Sequence, residues 1–194
     1  MKSILITYCC ILLSTLSISQ TSQHLSFKGV PIDGTLADYV SKMKQSGFTV
    51  LSAENETTLL IGDFAGYKDC YIGVSTLKQK DLVYKIGVIF PESETWSNLS
   101  GNYFDLKQML TEKYGKPSET VEKFHNSYTQ SDDDKSKMYE VGMDRCKYYS
   151  IWLTEKGEIQ LSIEHDGSFN CFAKLMYLDK INGDIIKAKA KGDL

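Results

Sequence analysis

The sequence predicts an α+β fold of two tandem helix-plus-antiparallel-sheet repeats, with the helices on one face of a curved sheet. Three observations carry that prediction. Leu36, Tyr39, Val40 and Met43 recur at three- and four-residue spacing, the stripe of one amphipathic helix. Four runs of alternating or β-branched residues follow, divided by turn signals. From Trp96 the order of helix and then strands begins again.

The elements can be justified in chain order. Leu25 to Val30 alternates like a strand and stops at Pro31-Ile32-Asp33-Gly34, a turn signal. Thr35 can cap the first helix and Gly47 can end it. Strands are then expected at Phe48 to Ala53, Thr57 to Ala65, Cys70 to Leu77 and Leu82 to Phe90, with turns at Asn55, Gly66 and Lys78 to Asp81. Ser93 or Thr95 can cap a second helix marked by Trp96, Leu99, Tyr103, Leu106 and Leu110, and Gly115 with Pro117 closes it. Glu119 to Asn126, Lys137 to Met143, Lys147 to Thr154, Glu158 to His165 and Phe169 to Leu178 read as further strands. The lysine-rich tail after Asp179 reads either as a short helix docked on the sheet or as disordered chain.

Aligning Ile72 and Val74 with Ile151 and Leu153 superposes two alternating strands. Leu82, Tyr84 and Ile86 then match Ile159, Leu161 and Ile163 in pattern. The expected organisation is residues 1–19 as an export signal, 20–90 as the first repeat, 91–178 as the second and 179–194 as the tail. The export signal rests on Met1-Lys2-Ser3 followed by an uncharged run from Ile4 to Ile18, with Ser17 and Ser19 before a cut at Gln20. That run is shorter than the roughly 20 residues of a spanning helix. Cys9 and Cys10 sit too early in it for a lipidation site.

The entry Phe27-x-Gly29-Val30-Pro31-Ile32-Asp33-Gly34-Thr35, with Trp96-x-x-Leu99 and Lys113-Tyr114-Gly115-Lys116-Pro117, resembles a group of exported Bacteroidetes proteins of unknown function. The tandem plan is also similar to the beta-lactamase inhibitor protein fold. That resemblance implies two repeats forming one curved sheet that binds a partner protein. It implies no site residue, because no binding residue matches by position.

Net charge is -3, with acidic and basic residues mixed, so no nucleic-acid partner is expected. Once the signal is removed, the cysteines left are Cys70, Cys146 and Cys171. They allow at most one internal bridge, with Cys146 and Cys171 the favoured pair, or else three buried thiols. His24, His125 and His165 show no zinc spacing, and neither a metal nor a cofactor is expected. Asp132-Asp133-Asp134 lacks the glycine and distal glutamate of a calcium loop and reads as a solvated hairpin tip. Asn55-Glu56-Thr57 and Asn98-Leu99-Ser100 are glycosylation sequons that carry no meaning in a bacterial protein.

Function is then expected from the sheet face away from the helices. If Ile72, Val74, Ile151 and Leu153 point at the helices, alternation sends Tyr71, Tyr148 and Trp152 to the open face, with Lys85, Gln160 and Glu164 beside them. Aromatics among polar groups suit recognition of a protein or envelope component. The alternative is a small exported hydrolase or thiol enzyme using Cys171 with His165.

Overall fold

The computed structural model describes residues 22–54, 56–77, 80–125, 133–167 and 170–192. The expected export signal lies outside them. The Leu25 to Val30 run is not one strand: Lys28 and Gly29 both take left-handed backbone, φ 47° and 78°. That is the pattern of a tight hairpin, and it joins β1 (Ser26–Phe27) to β2 (Val30–Pro31).

Helix α1 (Leu36–Gln45) opens on Thr35, whose hydroxyl accepts from the Asp38 N–H at 3.2 Å. Strands β3 (Thr49–Glu54), β4 (Thr57–Phe64), β5 (Tyr67–Leu77) and β6 (Leu82–Ile89) then form an antiparallel meander. Helix α2 (Trp96–Tyr114) opens on Thr95, which accepts from the Asn98 N–H at 3.2 Å. After it come β7 (Glu119–Phe124), α3 (Asp134–Gly142), β8 (Cys146–Thr154), β9 (Gly157–Asp166), β10 (Asn170–Asp179) and α4 (Lys180–Gly192).

The eight longer strands make one antiparallel sheet in the order β3-β4-β5-β6-β10-β9-β8-β7. Two meanders therefore meet through their last strands, β6 and β10. Ile72, Val74, Ile86, Val88, Leu161 and Leu175 are each 1% exposed or less, and they bury one sheet face against α1 and α2. Tyr39 and Met43 from α1, and Leu99 and Tyr103 from α2, supply the other side of that core.

Three expectations need correction. Lys137 to Met143 is helix, because the Asp133 carboxylate caps it by accepting from the Ser136 N–H and hydroxyl, both at 2.9 Å. Its buried residues, Lys137, Glu140 and Val141, fall at helical spacing. Next, the acidic run is not a solvated hairpin tip in its described part. Asp134 caps α2 as well, accepting from the Ser97 N–H at 3.1 Å and hydroxyl at 3.0 Å; Asp132 lies outside the described residues. Finally, the strand that stands next to the seam as β5 does is β9, not β8. The match of Ile72 and Val74 to Ile151 and Leu153 is therefore one strand out of place.

The tail forms α4, anchored across the end of the sheet. Asn182, 2% exposed, donates to the Ile32 carbonyl at 3.1 Å and the Val83 carbonyl at 2.8 Å. Asp179 accepts from the Asn182 N–H at 2.9 Å, and its buried carboxylate also takes the Leu25 N–H at 2.8 Å and meets the His24 ring at 3.0 Å. One side chain thus ties the start of the described chain to its last helix. No helix among the described residues is long and apolar enough to cross a membrane.

Candidate functional site

Pairing register and burial decide which expected site residues share a face. Tyr71, Lys85, Gln160 and Glu164 lie on the open face as expected. Tyr148 and Trp152 do not. Trp152 is 1% exposed and donates from Nε1 to the Gly115 carbonyl at 2.9 Å, under the end of α2. The Tyr148 ring packs against Trp96 and Phe124, with centroids 5.0 Å and 5.8 Å away. Ser150 is fully buried beside them, bonded to the Tyr103 hydroxyl at 2.8 Å. Ile151 and Leu153, expected in the core, point outward instead, and Leu153 is 67% exposed. The sequence pattern misleads because β8 alternates two sets of large apolar residues, and choosing the wrong set inverts every side chain.

The open face has a bare floor. Leu59, Gly73, Gly87, Met176, Gln160 and Ile151 form one row across six strands. A Cβ added at Gly87 would meet nothing within 4 Å, and at Gly73 only the Gly87 carbonyl, at 4.0 Å. Other sheet glycines have internal reasons: a Cβ at Gly62 would stand 2.5 Å from the Phe48 ring, and at Gly157 2.1 Å from the Leu178 carbonyl. Gly73 and Gly87 also lack positive φ. Nothing inside the fold requires glycine at these two positions. Tyr71, 43% exposed, pairs with Ile89 on one side of the floor, and Ser75 pairs with Lys85 on the other. Lys85 and Lys174 reach no carboxylate within 4.0 Å among the described residues.

A second feature draws Tyr148, Gln160 and Glu164 together. The ladder between β8 and β9 ends at Tyr149 and Ser162, although β8 begins at Cys146 and β9 runs on to Asp166. The strands part there around a cleft of about 360 Å³, lined by residues of both faces. His165 closes one end. Its Nε2 meets the Asp144 carboxylate at 3.0 Å and its Nδ1 meets the Gly167 carbonyl. Two acceptors call for two ring protons, so the Asp144 bond above all holds the imidazole pKa above its ordinary value.

The expected Cys171 and His165 pair does not form. They are Cα partners on β10 and β9, but both nitrogens of the imidazole are engaged elsewhere. Cys171 is 1% exposed, and burial holds its thiol pKa above the ordinary value, so it is not an activated thiolate. Cys70, Cys146 and Cys171 are all free thiols. Strand β9 stands between the strands that carry Cys146 and Cys171, and a bridge needs Cα atoms about 4.4–6.8 Å apart. Burial also pushes the Cys70 thiol up to about 11 and the Cys146 thiol up to about 12. Among the described residues, no group of three or more His, Cys, Asp or Glu is placed to hold a metal ion.

Comparison with protein-family models, with curated proteins and with solved structures finds no match to the chain.

Proposed function

We propose that the chain is an exported, non-enzymatic binding module that takes a protein partner on the open sheet face, in the periplasm or at the cell surface. The observation that carries the reading is the Gly73 and Gly87 floor, open to solvent and unneeded by the fold. A strand glycine gives up side-chain packing and adds conformational entropy to the unfolded chain. Two in register, each facing outward, are explained by something that comes close to the backbone from outside. Leu59, Ile89, Met176 and Tyr71 offer it apolar contact. Lys85 and Lys174 add two positive charges nearby, so the matching surface is a protruding apolar group flanked by carboxylates.

The two halves are read as tandem copies of one unit, with the helices on one face of a curved sheet. The support is the order of elements: α1 precedes β3 to β6, α2 precedes β7 to β10, and the meanders join through equivalent strands. Export rests on the charged start and apolar run of residues 1–19.

The test is capture from a native envelope extract by immobilised protein, comparing the parent with Gly87→Val. The Cβ of that valine meets nothing within 4 Å, and its methyl groups stand on the floor. Loss of the captured protein with an unchanged or higher melting temperature supports the reading. Equal capture by both proteins overturns it.

A further inference from the structure

The cleft between β8 and β9 carries Lys147 on one strand and Glu164 on the other, with His165 and Asp144 paired to each other at one end. Continuing the antiparallel register two residues past Tyr149 and Ser162 would set Lys147 opposite Glu164 on the open face. The strands have parted by then, and the two charges form no ion pair within 4.0 Å. Ser162, 5% exposed, donates its hydroxyl to one Glu164 oxygen at 2.8 Å and so fixes the carboxylate. Val141 and Ile163, 3% and 8% exposed, and Tyr148 supply the apolar part of a lining that is otherwise mostly polar.

An anion at Lys147 alone is repelled by Glu164, and a cation at Glu164 alone is repelled by Lys147. A neutral ligand uses neither charge. A small zwitterion answers both walls at once, and the size of the cleft stands at the lower end for ligand pockets. We propose that this cleft binds a free α-amino acid with a compact apolar side chain. Lys147 takes the carboxylate, Glu164 takes the ammonium, and the side chain lies toward Val141, Ile163 and Tyr148. This site is separate from the glycine floor, and it stands or falls without the protein-binding reading.

The experiment titrates the isotope-labelled protein with L-leucine and follows backbone amide resonances. Isovalerate, which lacks the ammonium, and isopentylamine, which lacks the carboxylate, serve as controls. L-leucine is expected to shift the amides of residues 146–148 and 163–165 and to saturate at about 1 mM or below. Each control should bind about tenfold more weakly, as should L-leucine to Lys147→Met and to Glu164→Gln. Far-ultraviolet circular dichroism checks that both variants remain folded; should either fail to fold, the two control ligands on the parent protein decide. Equal binding of isovalerate or isopentylamine overturns the proposal, as does absence of saturable shifts in those segments with L-leucine, L-valine and L-isoleucine.

Discussion

Gly73 and Gly87 stand directly opposite one another on β5 and β6, both outward, with no side chain above either. A Cβ at Gly87 would meet nothing within 4 Å and would restrict the unfolded chain. Gly87→Val is therefore expected to stabilise the fold by about 0.5–1 kcal/mol. For a chain of this length each kcal/mol moves the midpoint by about 2–4 °C, so calorimetry should find the variant at or above the parent's melting temperature. A fall of several degrees would mean that the floor has an internal role.

Asp179 gathers the Leu25 N–H, the Asn182 N–H and the His24 ring onto a carboxylate with no exposed surface. Asp179→Ala leaves two buried donors without their acceptor and uncaps α4. Urea titration should show a loss of about 3 kcal/mol, with new proteolytic cleavage near His24.

Tyr39 and Tyr103 are both fully buried, but their hydroxyls fare differently. The Tyr39 hydroxyl has no partner among the described residues, whereas that of Tyr103 meets Ser150 at 2.8 Å and Glu122 at 3.2 Å. Tyr39→Phe is expected to be neutral or to stabilise by about 1 kcal/mol, and Tyr103→Phe to cost about 1 kcal/mol or more. Opposite signs in one chemical-denaturation series would confirm the contrast, and equal losses would refute it.

The raised pKa of His165 links stability to pH. Its folded-state value lies above the unfolded one, so the contribution is fully present below about pH 6.5 and is lost as pH rises through the folded value. Asp144, Glu164 and the Gly167 carbonyl face the ring. Because Asp144 is 91% exposed, the effect should be modest. Proton resonance titration should place the His165 pKa above 6.5, and Asp144→Asn should lower it toward that value.

Element type was legible wherever caps and periodicity agreed. Thr35, Thr95 and Gly115 mark their helix ends as their chemistry requires. Alternation located every long strand, though not which face each one buries. In β5 the choice was clear, because one set of residues is apolar and the other contains Gly73 and Ser75. In β8 each set carries large apolar or aromatic residues, Tyr148 and Trp152 in one and Tyr149, Ile151 and Leu153 in the other, and only the tertiary environment of Trp152 under α2 separates them. Helix α3 escaped because Tyr139, Val141 and Met143 fall at every second position, with Glu140 and Gly142 between them. The signal that could have found it was Asp133 with Ser136 three residues later, a cap pattern hidden by reading the aspartates as a loop. Of the site, the open-face residues Tyr71, Lys85, Gln160 and Glu164 were legible. The parting of β8 from β9 was not, since it depends on where a ladder stops.

The seam through β10 has a consequence for synthesis. Among the described residues β10 follows the other seven strands of the sheet in chain order, yet it occupies the middle of that sheet. Until residues 170–179 arrive, β6 and β9 each present a bare hydrogen-bonding edge, and the two meanders share no ladder. A nascent chain cannot close its sheet from the front, so termination between β9 and β10 leaves two adhesive halves instead of a smaller protein.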